Sequence, residues 1–200
     1  MKKIAVFCGS SAGNDVAFEN AAKAVGVYFA ENNIELVFGG GKVGLMGIIA
    51  DSVLAHGGKV TGVIPVFLEV KEIMHPNVTK MFVTDTMHER KKIMYDMSDA
   101  IIALPGGFGT LDELFESLTW SQLMLHTKPV GILNVAGFFD PLFEMVQKMV
   151  DKGFLKKINR DLMITDTDIE ALIKKLRAFE PTSEGKHVFK QELKLRARRL

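Results

Sequence analysis

Three glycine-rich stretches carry the residues best suited to chemistry: Cys8-Gly9-Ser10-Ser11-Ala12-Gly13, Gly39-Gly40-Gly41-Lys42-Val43-Gly44-Leu45-Met46-Gly47 and Pro105-Gly106-Gly107-Phe108-Gly109-Thr110. Each leaves a short apolar run and enters a segment of helical period. Glycine lets the backbone approach a ligand closely, and the helix that follows offers unpaired N–H groups and the positive end of its dipole. Successive N–H groups can then converge on an anion. One such stretch is an ordinary turn. Three along one sheet edge point to a small molecule that carries phosphate, with Ser10, Gly40, Gly41, Gly106, Gly107, Gly109 and Thr110 as the expected binding positions.

The spacing narrows the phosphate compound. Gly39-x-Gly41-x-x-Gly44 matches the dinucleotide fingerprint in form, but it follows the second apolar run rather than the first. The next run, Thr61-Gly62-Val63-Ile64-Pro65, brings no acid for a ribose hydroxyl. No Gly-Lys-Ser/Thr closes a P-loop either. A mononucleotide or a sugar phosphate remains.

Two charged residues sit where charge is unexpected. Met87, Arg90, Met94 and Met97 share one helical stripe, so the Arg90 guanidinium stands among apolar side chains. It either snorkels to solvent or meets an anion, for which its planar donor fork is suited. Glu113 has two readings. Thr110-Leu111-Asp112-Glu113 has the spacing of a capping box, in which Thr110 would cap the helix and Glu113 would reach back. Glu113 and Glu116 also share one flank of the helix that starts at the third glycine loop. Clustered carboxylates beside a bound ribose phosphate suit glycosidic cleavage, whose transition state resembles an oxocarbenium ion.

Other chemistries find less support. Cys8 is the only cysteine, which rules out a disulfide framework, and no paired base marks it as a nucleophile. His56, His75, His88, His126 and His187 show no metal-ligand spacing, so no metal is expected. No lysine is marked for a Schiff base with a pyridoxal cofactor, and no cofactor is expected.

The elements that must position these residues follow from periodicity. Apolar runs at 4–8, 36–38, 60–64, 80–84, 100–104, 130–133 and 162–165 alternate with helical segments near 16–31, 45–56, 87–98, 111–125, 140–152 and 167–178. Unbroken Val, Ile, Leu and Phe in the strands demands burial on both sheet faces. The expected fold is α/β, a doubly wound Rossmann-like parallel sheet with helices on both faces. Two hundred residues, 48% of them apolar, fit one domain over 1–180, followed by a basic helix or tail over 181–200. A net charge of +1 argues against a nucleic-acid partner. No run reaches about 18 apolar residues, and Ile4–Phe7 is too short for a secretory core, so no membrane is expected and the compartment is read as cytoplasmic.

Pro105-Gly106-Gly107-Phe108-Gly109-Thr110-Leu111-Asp112-Glu113 resembles the PGGxGTxxE signature of the LOG ("lonely guy") family of cytokinin riboside 5'-monophosphate phosphoribohydrolases, often mislabelled lysine decarboxylases. Cys8-Gly9-Ser10-Ser11, Gly39–Gly47 and Met87-His88-Glu89-Arg90-Lys91 are similar to family segments in the same order, and the likeness covers residues 1 to about 180. The resemblance implies a homodimer that hydrolyses the N-glycosidic bond of a nucleoside 5'-monophosphate to a free base and ribose 5-phosphate. It implies Arg90 and Glu113 as the catalytic pair, with Glu72, Lys91 and the 106–110 loop binding the nucleotide; the shared helix flank, not the resemblance, adds Glu116 as a second acid. Methionines 87, 94, 97 and 124 are the expected helix-borne dimer contacts. The alternative is a non-catalytic nucleotide-binding or sensing module.

Overall fold

A computed structural model describes residues 1–69 and 74–181. Glu72 and the basic stretch from Lys186 to Leu200 therefore lie outside the described residues. The chain runs β1 (Lys3–Phe7), α1 (Val16–Glu31), β2 (Glu35–Phe38), α2 (Gly44–Ala55), β3 (Val60–Pro65), α3 (Val66–Glu69), β4 (Lys80–Thr84) and α4 (Met87–Met97). It continues through β5 (Ala100–Ala103), α5 (Phe108–Gln122), β6 (Val130–Leu133), α6 (Asp140–Asp151), α7 (Lys157–Arg160), β7 (Met163–Asp166) and α8 (Ile169–Ala178).

Among the described residues seven strands form one sheet in the order β4-β3-β2-β1-β5-β6-β7, and every pairing is parallel. Alternate residues of β1 feed opposite faces, because strand side chains have a period of two. Ile4 and Val6 pack with α1, α2 and α8, whereas Ala5 and Phe7 pack with α4, α5 and the start of α6. The core thus lies in two layers around a central strand that is fully enclosed. This is the doubly wound α/β architecture expected from the apolar runs.

The strand order reverses at β1, whose neighbours are β2 on one side and β5 on the other. The chain leaves β1 toward β4, returns to β5, and then builds outward to β7. In open parallel sheets the crevice beyond the carboxyl ends at such a reversal is where ligands bind. The first and third glycine loops meet there, with Gly9 N–H donating to Pro105 O at 3.0 Å.

One boundary differs from its sequence expectation in a way that matters. Helix α5 begins at Phe108, one turn earlier than periodicity suggests, with Gly107 as its N-cap and no side-chain cap. Glycines at 107 and 109 weaken the local helix signal. The short connection from β5 nevertheless turns directly into the helix.

Candidate active site

Three loops at the carboxyl edge interlock through their glycines. Gly44 has φ +64°, and a side chain there would collide with the Ser10–Ser11 peptide. Leu45 N–H donates to Gly9 O at 3.0 Å, so the first loop is tied to the start of α2. Gly106 lies against Gly9 and the Thr110 hydroxyl, and no side chain fits between them. The second loop is held from its other side by Met74 and His75: His75 N–H donates to Gly40 O at 2.9 Å, and Gly41 bridges to Met74. By contrast, Gly107 and Gly109 face open space.

The helix starts differ in a telling way. Helices α1, α4 and α8 are closed by Asp15, Thr86 and Asp168, each accepting a backbone N–H. Helices α2 and α5, which start at the second and third glycine loops, have no side-chain cap. In α2 the Leu45 N–H is spent on Gly9 O, whereas the first N–H groups of α5 keep their capacity for an anion, and both dipoles present their positive ends to this edge.

Arg90 does not snorkel. It is 6% exposed, its Nε donates to Val63 O at 3.1 Å, and its Nη1 lies 3.6 Å from Glu113 Oε1 and 3.2 Å from Met87 Sδ. The absence of a side chain on Gly39 makes room for the guanidinium, which a Cβ there would strike. The sequence reading did not single out Gly39 for this purpose, although it opens the Gly-Gly-Gly run. Glu113 is buried one and a half turns into α5.

Lys91, the next residue, reaches the same helix. Its Nζ donates to Asp112 Oδ2 at 2.6 Å and stands 3.2 Å from Glu116 Oε2. Burial pulls the ammonium's pKa down, but the bonds to Asp112 and Glu116 outweigh it and hold the group above its usual range. Helices α4 and α5 are thus joined by three ion pairs from two adjacent cations. The structure brings Arg90 to Glu113 and Lys91 to Glu116, and adds Asp112, whose part no spacing rule on one helix could reveal.

The capping-box reading of Thr110 and Glu113 fails. Thr110 is inside the helix as its third residue, so its hydroxyl is not at the N-cap, and it packs over Gly106 instead. The same T-x-x-E spacing does cap α4: Thr86 accepts from Glu89 N–H at 3.1 Å, and Glu89 Oε2 accepts from Asp85 N–H. Cys8 is buried, and burial together with the Glu113 charge pushes its thiol well above the ordinary range. A protonated, enclosed thiol is not a nucleophile.

The fold and site define a class: a Rossmann-like α/β protein with three glycine-rich loops at the carboxyl edge of its sheet and a buried Arg–Glu pair beside them. Residues 46–176 match the family model described as possible lysine decarboxylase, and the chain belongs to that family. It is 45% identical over 183 residues to the cytokinin riboside 5'-monophosphate phosphoribohydrolase LOG1 of Arabidopsis thaliana, covering 92% of this chain and 86% of the relative. It is 47% identical over 177 residues to the probable phosphoribohydrolase LOGL1 of Oryza sativa subsp. japonica, covering 88% and 79%. Among solved structures, the molybdenum cofactor carrier protein of Chlamydomonas reinhardtii superposes with a TM-score of 0.65 at 22% identity, over 88% of this chain and 98% of that one. That likeness concerns the fold alone.

Proposed function

We propose that the protein hydrolyses the N-glycosidic bond of nucleoside 5'-monophosphates, AMP or N6-prenyl-AMP, to a free base and ribose 5-phosphate. The observation that carries this reading is the uncapped start of α5, with open space at Gly107 and Gly109, one and a half turns from a carboxylate held beside Arg90. Relatives named for the same reaction, at 45% and 47% identity, support it.

The 5'-phosphate sits on the N–H groups of Phe108, Gly109 and Thr110, bordered by Ser10, Gly40, Gly41 and Gly106. That anchor places the ribose over Glu113. As the bond to the base breaks, its electrons leave with the base and positive charge grows on the ribose ring. The Glu113 carboxylate stabilises that charge and takes a proton from the attacking water, whose oxygen bonds to the anomeric carbon, while the departing base takes up a proton from solvent. Arg90, 3.6 Å away, orients the carboxylate. Lys91, Glu116 and Glu72 complete the substrate site in this reading. The reaction as written needs no cofactor.

The finer assignments belong to the same proposal: residues 1–180 as one nucleotide-binding domain, a cytoplasmic setting and a homodimer. Among the described residues no helix is long and apolar enough to cross a membrane. Phe108 and Phe115 of α5 and Leu123 just beyond it are exposed apolar residues that a partner subunit would cover. Met94 cannot serve there, because it is fully enclosed within its own chain.

Purified protein incubated with AMP and with N6-isopentenyl-AMP, followed by chromatography, tests the reading. Free adenine or free prenyladenine is expected. Tight nucleotide binding with no base released from either compound would leave a binding module.

A further inference from the structure

A buried tyrosine on the helix that bears Arg90 and Lys91 also reaches α5. Tyr95 is 3% exposed on α4, one turn beyond Lys91. Its hydroxyl donates to the backbone carbonyl of Glu113 at 3.1 Å and lies 2.8 Å from Ser117 Oγ. Ser117 Oγ donates to that same carbonyl at 2.6 Å. The Glu113 carbonyl, in a helix expected to serve only the amide four residues on, therefore receives two hydroxyl donors as well. A serine that bonds back to the i−4 carbonyl tilts that carbonyl and bends its helix. The second donor comes from another helix, the one that bears Arg90.

The tyrosine ring is fixed on three sides. Phe7 meets it edge-on at 6.1 Å between centroids, Trp120 lies at 4.7 Å, and His126 stacks at 6.1 Å. Lys128 Nζ donates to the Tyr95 backbone carbonyl, tying the end of α4 to the entrance of β6. Meanwhile the Arg90–Glu113 separation of 3.6 Å exceeds the 2.7–2.9 Å of a tight charge-assisted bond.

We infer that Tyr95, with Ser117, is a positioning residue for the reaction: its hydroxyl sets the height and rotation of Glu113 relative to Arg90, and so the place of the carboxylate against the ribose. This rests on the reading of Glu113 as the carboxylate that stabilises the ribose charge and accepts the water proton. Tyr95 itself touches no substrate. Displacement of a reacting group by a fraction of an ångström to one ångström is enough to lower turnover by one to two orders of magnitude.

Three variants of the full chain decide it: Tyr95→Phe, which keeps the ring and removes the hydroxyl, Glu113→Gln, and the two combined. With AMP as substrate, Tyr95→Phe should lower kcat roughly tenfold and move KM less than about twofold. In the Glu113→Gln background the same change should have no further effect, because Tyr95 acts through that carboxylate. A tyrosine that merely stabilises the fold would lower the residual rate by the same factor in both backgrounds. That result, or a kcat within about twofold of wild type for Tyr95→Phe, overturns the inference. If Tyr95→Phe is not recovered folded, Ser117→Ala carries the test, since it removes the other donor and leaves the ring packing untouched. A wild-type rate in Glu113→Gln alone instead removes the Glu113 assignment, and the positioning role falls with it.

Discussion

Arg90 is legible in the sequence because a charge on an apolar stripe demands a partner, and the structure supplies the Val63 carbonyl and the Glu113 carboxylate beside the Met87 sulfur. Arg90→Ala removes both interactions and leaves Glu113 buried beside a void. It should destabilise the protein by about 3 kcal/mol, read by denaturant unfolding, as well as reduce turnover. Arg90→Lys keeps the charge but lacks the Nε–H that fixes the guanidinium, so it should recover less than about a tenth of the wild-type rate. Full recovery would show that a point charge suffices. Glu113 was harder to read, because T-x-x-E fits a cap and a catalytic site equally well. Only the helix start distinguishes them: Thr86 is an N-cap and Thr110 is the third helical residue. Asp112 and Tyr95 were not legible at all, since their partners lie on another helix and 18 or more residues away.

Helices with apolar residues at spacings of three and four, and strands of continuous Val, Ile and Leu, appear where periodicity places them, to within a turn. The single-turn helices α3 and α7 do not announce themselves, because four residues are too few to show a period. The contrast between capped and uncapped helix starts yields opposite expectations for two kinds of substitution. Asp15→Ala should cost about 1 kcal/mol of stability and leave nucleotide affinity unchanged. Gly109→Ala adds a methyl in open space within a helix, so melting temperature should hold or rise. The same methyl intrudes where the phosphate belongs, and AMP affinity should fall by about tenfold or more, as titration calorimetry would show. Unchanged affinity in Gly109→Ala would move the phosphate away from α5.

For the molecule as a whole, two measurements follow. His126 is buried, and burial together with the neighbouring Lys128 pulls its pKa from 6.5 down to about 4. The unfolded chain binds that proton at a pH where the folded protein still refuses it. Stability is therefore complete above about pH 6.5, falls as the pH drops, and reaches its floor below about 4, a difference of about 3 kcal/mol at most. The melting temperature should track that window and lose much of its slope in His126→Gln. Light scattering addresses assembly: a particle near twice the 22.1 kDa of one chain is expected at micromolar concentration, and a particle of 22.1 kDa would refute the dimer.

Strand β1 occupies the middle of the sheet, yet it is made before the other six strands. Its amides reach Asp99 across 96 residues of chain, and its register partner Ala100 begins β5. At about 5–20 residues per second, the ribosome extends the chain for roughly 5–20 s before the other side of β1 can be covered. Through that interval Ile4, Val6 and their neighbours present an open parallel edge, the arrangement that folds slowly and invites wrong partners. The proposed phosphate site cannot precede this closure, because one of its loops leaves β1 and another leaves β5. In a refolding experiment the ability to hold AMP should emerge only with the slowest phase, after most of the helical signal has returned. The binding site thus doubles as the seam along which the two halves of the newborn chain are finally joined.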